Sequence, residues 1–361
     1  MKTGLNHAVR VTVAALSIVL GLGAAVPAAA QCPGDLTGNG QLNGADLGLV
    51  LAAWASDGTD EPGSDVNQDG IVNGADLAIV LGAWGNCPAG GTVRAWGAND
   101  FGQSDVPSDL GPCTAIAGGG LHTIALRTDG TVRAWGYNFW GQCDVPSDLG
   151  VCVAVTASSI KSLALTTEGS VRAWGCFGSQ CPVPPDLGPC TAIAAGCNHA
   201  IALRTDGTVR AWGFNGTGQC DVPADLGPCT AIAGGDGHTI AIRTDGTVRA
   251  WGRNYEGQCN IPADLGPCTA IAGGAYHTIA ARADGTVWAW GNNQADQCVV
   301  PSGLASSVAL GAGERHSLAL SSRGNVQAWG HNFNGQCNIP TDLGPCSAIA
   351  GGAYHSIAIQ R

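Results

Sequence analysis

The sequence predicts a mainly β chain: a seven-bladed β-propeller closed by N- and C-terminal half-blades, preceded by a small α-helical module built on two cation-type loops. Three observations carry this. The tripeptide Ala-Trp-Gly returns at Trp96, Trp135, Trp174, Trp212, Trp251, Trp290 and Trp329, a spacing constant to within one position. A fixed period of roughly 40 residues marks an array of one supersecondary unit. Each unit holds short β-branched or Ala/Ile-rich runs bounded by Gly, Pro and Asp, the patterning of strands, and about 40 residues with four strands is one propeller blade. Finally, the array starts mid-unit at Thr92-Val93-Arg94-Ala95-Trp96 and ends on the complementary half, Cys346–Ile349 and His355–Ile359. Six whole units plus one shared between the two ends make seven blades and leave no open edge.

Taken in order, residues 1–30 hold Lys2, His7 and Arg10, an apolar run from Val11 to Val26, and Pro27-Ala28-Ala29-Ala30. This is the pattern of a secretory signal peptide, and the run is too short and Gly/Ala-rich for a permanent span. The expected product is secreted, extracellular or at the cell surface.

Residues 31–88 form the second expected module. The segments from Gly34 to Asp46 and from Ser64 to Asp76 match each other position for position. Oxygen side chains fall at loop positions 1, 3, 5, 9 and 12: Asp35, Thr37, Asn39, Asn43 and Asp46, then Asp65, Asn67, Asp69, Asn73 and Asp76. Gly sits at position 6, and Gln41 or Ile71 at position 7 offers a backbone carbonyl. A hard cation needing six to eight oxygens is served by this spacing, so calcium is the expected cofactor. Leu47/Val50/Leu51/Trp54 and Leu77/Val80/Leu81/Trp84 follow at i, i+3, i+4, i+7, one apolar helix face each. Trp84, in an eighth Ala-Trp-Gly, belongs to this module and not to the array.

The arrangement resembles a type I dockerin. That resemblance implies a protein partner, a cohesin-like scaffold module docking on residues 31–88, and a role as an accessory component of polysaccharide breakdown. Loop positions 10 and 11, often Ser-Thr in that family, read Gly44-Ala45 and Gly74-Ala75 here.

Residues 89–361 form the third module. One unit reads Thr131–Gly136, a variable loop with Gly141-Gln142-Cys143, a Val-Pro turn, then Cys152–Val155 and Ser162–Leu165. A fourth outer strand is expected near Gln142–Val145. The residues Trp135-Gly136-Tyr137-Asn138, Gly141-Gln142 and Ala117–Leu126 make the array similar to the regulator of chromosome condensation repeat family, which implies a seven-bladed propeller. The short unit is similar to the secreted β-lactamase-inhibitor propellers of that family, which implies an alternative role as an enzyme inhibitor. The unit at 152–181 departs most, with Thr156-Ala157-Ser158 for Ala-Gly-Gly and Lys161 at the His position.

Sixteen cysteines in an exported chain suggest a disulfide framework. Cys143/Cys152, Cys181/Cys190, Cys220/Cys229, Cys259/Cys268 and Cys337/Cys346 lie nine apart within single loops. Cys176/Cys197 and Cys32/Cys87 are further expected pairs, with Cys113 and Cys298 left as thiols. Arg94, Arg133, Arg172, Arg210 and Arg249 are followed at near-constant spacing by Asp109, Asp148, Asp186, Asp225 and Asp264, suggesting intra-unit ion pairs.

The chain carries net charge −11, which becomes −13 without residues 1–30, and has no basic stripe. That argues against nucleic acid or anionic lipid as a partner. Six histidines, His122, His199, His238, His277, His316 and His355, repeat once per unit and are expected to be scaffold hydrogen bonds. No nucleophile elbow, carboxylate pair or phosphate loop is recognisable, so the chain is expected to be a non-catalytic, monomeric binding protein. Variation concentrates in two loops. After Trp-Gly stand Phe101, Tyr137, Phe139, Trp140, Phe177, Phe214, Tyr255 and Phe333; before the His slot stand Tyr276, Arg315 and Tyr354. Aromatics and Arg on variable loops suit a hot spot for a protein or carbohydrate.

Overall fold

The structure, a computed structural model, describes residues 41–42, 47, 50–54, 71–72, 85–86, 90–175, 182–304 and 306–361. Seven three-stranded antiparallel sheets succeed one another from Thr92 to Gln360. Blade 1 is Cys113–Gly118, His122–Arg127 and Val132–Gly136; blade 2 is Cys152–Ala157, Ser162–Thr166 and Val171–Trp174. Blade 3 is Cys190–Ala195, His199–Arg204 and Val209–Gly213, and blade 4 is Cys229–Gly234, His238–Arg243 and Val248–Gly252. Blade 5 is Cys268–Gly273, His277–Arg282 and Val287–Gly291, and blade 6 is Ser307–Ala312, His316–Ser321 and Val326–Gly330.

Blade 7 joins the two ends of the array. Cys346–Gly351 and His355–Gln360 take Thr92–Gly97 as their third strand, with His355 opposite Gly97 and Gln360 opposite Thr92. The first strand of each blade contacts the first strand of the next all the way round, including blade 7 to blade 1. These are the inner strands, and the ring they make is closed.

Both faces of every blade pack on a neighbour, so the middle strands are buried along almost their whole length. Side chains alternate between faces; Ile124 and Leu126 therefore project to one side and Ala125 to the other, all at most 3% exposed. Large residues on one face against alanine on the next let the sheets approach closely.

The expected outer strand at Gln142–Val145 is instead a chain of turns, with backbone bonds Gly141 to Asn138, Asp144 to Gly141 and Leu149 to Pro146. Side chains capture the amides that a ladder would use. The Cys143 amide donates to Asn138 Oδ1 at 2.7 Å, and the Trp140 amide to Gln142 Oε1 at 3.0 Å. The Gln142 carbonyl then accepts from Ser162 Oγ at 2.8 Å and from Trp174 Nε1 at 3.1 Å. Equivalent glutamine carbonyls accept the next blade's indole N–H from Trp96 (at Gln336), Trp135, Trp251, Trp290 and Trp329. The repeated Trp-Gly and Gly-Gln are thus two halves of one joint between a loop and the following blade.

That joint overturns four of the expected disulfides, Cys143/Cys152, Cys220/Cys229, Cys259/Cys268 and Cys337/Cys346. Cys143 follows Gln142 at the Ser162 end of blade 2, whereas Cys152 stands opposite Thr166, four positions further along the middle strand. Four strand residues span about 13 Å, beyond the roughly 7 Å between Cα atoms that a disulfide bridges. Cys143, Cys152, Cys220, Cys229, Cys259, Cys268, Cys337 and Cys346 are free thiols, as are Cys113, Cys190, Cys197 and Cys298. Cys143 Sγ donates to the Tyr137 carbonyl at 3.4 Å, and Cys152 Sγ to that of Gly150 at 3.7 Å. Burial pushes the two thiols up to about 12 and about 11. Cys32, Cys87, Cys176 and Cys181 lie outside the described residues.

The ion pairs form, but one unit out of phase with expectation. Arg133 meets Asp109 at 3.3 Å, Arg172 meets Asp148 at 3.0 Å, and Arg210 and Arg249 meet Asp186 and Asp225, each at 3.1 Å. Arg94 meets Asp342 at 2.8 Å across the closure of the ring. The segment before each inner strand folds onto the blade that follows it, which sets the aspartate beside that blade's outer strand. The pairs are exposed, worth about 0.2–1 kcal/mol each.

In the N-terminal module, Leu47 and residues 50–52 are helical, and Gln41–Leu42 pairs with Gly85–Asn86. Val50 is buried, but Leu51 and Trp54 are 50% and 46% exposed, so the expected apolar face is not buried as a unit. Trp54 lies beyond the last helical residue, in a turn closed on the Leu51 carbonyl at 3.4 Å. Leu77, Val80, Leu81 and Trp84 lie outside the described residues, as do residues 1–30.

Candidate ligand-binding face at the channel mouth

The two variable loops meet at one end of the ring. The residue after Trp-Gly donates its amide to the carbonyl of the residue before the His slot: Ala98 to Tyr354, Tyr137 to Leu121, Phe214 to Asn198, Arg253 to Gly237, Asn292 to Tyr276 and His331 to Arg315. The bonds are 2.7–2.9 Å long. The glycine of Trp-Gly makes this approach feasible. Gly136 has φ +103°, and a Cβ there would lie 2.7 Å from the Leu121 carbonyl oxygen.

At the same end, hairpin tips between inner and middle strands surround a cavity of about 290 Å³, lined by residues such as Gly119, Cys197, Asp236, Tyr276, Glu314 and Ala353. Backbone bonds run from tip to tip around it, Gly120 to the Ser158 carbonyl at 2.9 Å and Ala353 to that of Gly119 at 3.1 Å.

Beneath the lip lie the six histidines, each 0% exposed. Nε2 of His122, His199, His238, His277, His316 and His355 lies 2.9–3.1 Å from a Ser or Thr hydroxyl of the next blade. Those hydroxyls donate their single proton to a glutamine carbonyl, as Thr239 does to Gln219 at 2.8 Å. They therefore accept from Nε2–H, which assigns the tautomer. Burial holds His122, His199, His238 and His316 down to about 3, and His277 and His355 to about 4. These imidazoles are neutral inter-blade ties.

On the surface the structure assembles two clusters from the sequence-derived residues. Phe101, Tyr137, Phe139 and Trp140 form a continuous aromatic strip, with centroids 5.0, 6.3 and 4.9 Å apart in turn. Phe139 is 73% exposed and Phe101 48%. Nearer the mouth, Arg253 pairs with Asp236 at 3.1 Å and lies 4.7 Å from the ring of Tyr276 and 5.4 Å from that of Tyr255. The stacked guanidinium holds two blades' tyrosines in place. Tyr354 is raised to about 12 by burial and by the Glu314 carboxylate. Glu314 in turn lies 3.7 Å from Arg315.

Phe214 and Phe333 stand apart from these clusters and are exposed; Phe177 lies outside the described residues. Cys197, between Ser159 and Asp236 on the lip, is a mouth residue that sequence reasoning misses. Its signal is a cysteine in the slot that Gly120, Ser159, Asp236, Ala275, Glu314 and Ala353 hold in the other units. Of the calcium-loop residues only Gln41 and Ile71 are described, and the Ile71 side chain points outward, 56% exposed. Asp35, Thr37, Asn39, Asn43, Asp46, Asp65, Asn67, Asp69, Asn73 and Asp76 lie outside the described residues. Their donor set, all oxygen, fits a hard cation in chemistry.

A family model for the regulator of chromosome condensation (RCC1) repeat matches residues 113–142, 190–219, 229–258, 268–297 and 308–336. Five of the seven units are thus RCC1 repeats. A second model, the dockerin type I domain, matches residues 33–82. Among solved structures, Prp20p from Saccharomyces cerevisiae is similar at 18% identity and TM-score 0.65, covering 76% of this chain and 92% of that one. Human WBSCR16 is similar at 18% identity and TM-score 0.62, covering 74% and 99%. The ectodomain of the Physcomitrella patens receptor kinase CR4 is similar at 24% identity and TM-score 0.59, covering 70% and 71%. These likenesses concern the fold. Among curated protein sequences, none is significantly similar to this chain. The chain therefore joins an RCC1-repeat propeller to a dockerin type I domain, a composition that fits a binding or scaffold protein. No helix among the described residues is long and apolar enough to cross a membrane.

Proposed function

We propose that this chain is an exported, non-catalytic binding protein with three parts: a leader over 1–30, an attachment module over 31–88 and a monomeric propeller over 89–361. The RCC1-repeat propeller binds a carbohydrate or protein ligand on the face that carries the channel mouth. The observation that supports it is the convergence of both variable loops on one end of a ring whose repeated residues are consumed by scaffold bonds. What the units do not share, they present together: the strip from Phe101 to Trp140 and the Tyr255–Arg253–Tyr276 stack. Flat, exposed rings suit stacking against sugar faces or burial as interface anchors.

Calcium held by the two oxygen-rich loops of the dockerin type I domain would order the attachment module, which in turn docks on a cohesin-like scaffold at the cell surface or outside it. The test uses the full chain, immobilised, against a glycan panel and the proteins of the native secretome. Replacing both Phe139 and Trp140 with alanine should weaken propeller-dependent binding by about 30-fold, the effect of losing one hot spot of about 2 kcal/mol. Unchanged binding of every ligand would overturn the assignment of this face. A ligand that proves to be a secreted hydrolase, and is inhibited on binding, would favour the inhibitor reading.

Calcium removal has a separate expected outcome. Chelation should abolish scaffold docking and leave binding at the propeller face intact, because no propeller residue named above belongs to the calcium loops. Docking that survives chelation would exclude the calcium-dependent attachment.

A further inference from the structure

Blade 2 breaks the ring of histidine ties in four places at once. Lys161 replaces the histidine, Ser158 the glycine, Thr156 an alanine or glycine, and Ala200 of blade 3 replaces the receiving Thr or Ser. All four face the same inter-blade space. Thr156 stands opposite Leu163 in register, and the Ser158 amide bonds the Lys161 carbonyl at 2.9 Å, so residues 156, 158, 161 and 163 share one face of the hairpin. That face is the one from which His122 reaches blade 2 in the preceding unit, and Leu163 packs with Ala200 in one cluster.

The substitutions accommodate one another. In blade 1 a Cβ on Gly119 would lie 2.2 Å from the His122 ring, so a side chain at position 158 requires that no imidazole be there. The result is three buried polar atoms with no partner: Lys161 Nζ, Ser158 Oγ and Thr156 Oγ1, in residues 1%, 5% and 2% exposed. An unpaired ammonium and two idle hydroxyls in one apolar space are costly unless something fills it. The groups facing Lys161 from the next blades are Cys197, Cys220 and His199, and none of them is an anion at neutral pH. Burial lowers the Lys161 ammonium from its ordinary value to about 8.

We propose that the space between blades 2 and 3 is a binding site for a small inorganic anion, held by Lys161 Nζ and the hydroxyls of Ser158 and Thr156. All three groups can donate, and an anion accepts from all of them while neutralising the ammonium. The anion fills the face of blade 2, toward blade 3, where the histidine tie is missing.

The experiment uses the full chain with chloride and bromide as probes. Thermal unfolding is followed at constant ionic strength as halide replaces gluconate, a bulky polyhydroxy carboxylate. Tm should rise with halide in the native chain and stay flat in Lys161→Met. Thr156→Ala and Ser158→Gly keep the lysine and restore residues that other blades carry; each should raise the halide concentration needed several-fold. Crystals grown in bromide should show an anomalous peak beside Lys161 Nζ. A Tm response identical in the native chain and all three variants, or bromide crystals with no such peak, would overturn the site.

Discussion

Acidification should unfold the propeller cooperatively about one to two pH units below the ordinary histidine pKa of about 6.5. The six inter-blade imidazoles are held down to about 3 or about 4 by burial. Neighbouring positive charge adds to this, from Lys161 beside His199 and Arg253 beside His238. In the unfolded chain they titrate normally. Below the ordinary pKa the unfolded state therefore binds protons that the folded state refuses. The stability they contribute is whole above that value and is lost as pH falls toward the folded pKa. Each group is worth up to about 1.4 kcal/mol per pH unit, so six acting together withdraw about 8 kcal/mol per unit. A domain is stable by about 5–15 kcal/mol, so the midpoint should fall near pH 4.5–5.5.

Three lowered carboxylates and Lys161 titrate outside this window. The carboxylates of Asp129, Asp225 and Asp342 are lowered, chiefly by hydrogen bonds that oppose any desolvation, and protonate only at lower pH. Lys161 titrates above it. Tryptophan fluorescence against pH measures the transition directly, and His238→Gln should flatten its slope. A signal level from pH 7 to pH 4 would refute the account.

The histidine ties also show what is legible in the sequence. A histidine recurring once per unit, with a hydroxyl residue directly after it in most, reads as scaffold. Its actual partner, the hydroxyl 40 residues on, follows from the same period once the blades are known to be neighbours. Phase is harder. Arg133 has Asp148 after it and Asp109 before it, and a periodic sequence gives no reason to prefer either. The choice is made by the turn-rich segment from Asn99 to Leu110, which folds forward onto blade 1 through the Gln103 carbonyl. The cysteines mislead for a related reason. The short separation of Cys143 and Cys152 suggests a small loop, yet the chain between them climbs the height of a blade. Spacing along the chain does not report direction in space.

Of the candidate face, the residue types are legible and their grouping is not. Phe101 and Tyr137 belong to successive units, and only the ring brings their side chains to 5.0 Å. Arg253 and Tyr276 likewise come from adjacent blades. The cluster around Lys161 is half visible: the irregular unit at 156–161 stands out, but Ala200 is an ordinary alanine until the hydroxyl missing from it is noticed.

The second large effect concerns closure. Deleting residues 92–97 should abolish the cooperative folding of the whole ring rather than of one blade. That strand supplies every main-chain partner on the open side of His355–Gln360. It buries Val93 and Trp96, at 3% and 8% exposed, and donates the Trp96 indole to the Gln336 carbonyl at 3.0 Å. It also carries Arg94, which pairs with Asp342. Loss of a buried tryptophan alone costs about 3–5 kcal/mol, and the freed edge of blade 7 becomes a template for pairing with other chains. Because blades 6 and 1 each pack on blade 7, the loss is not confined there. Trp329→Ala, the equivalent change within blade 6, separates closure from packing. It removes the same indole bond, from Trp329 to Gln297, but leaves the ring continuous. The deletion should give a broad, low-temperature transition with concentration-dependent association, and Trp329→Ala a lowered but sharp one. Equal behaviour of the two would mean that the ends of the array contribute packing only, and that the ring does not depend on being closed.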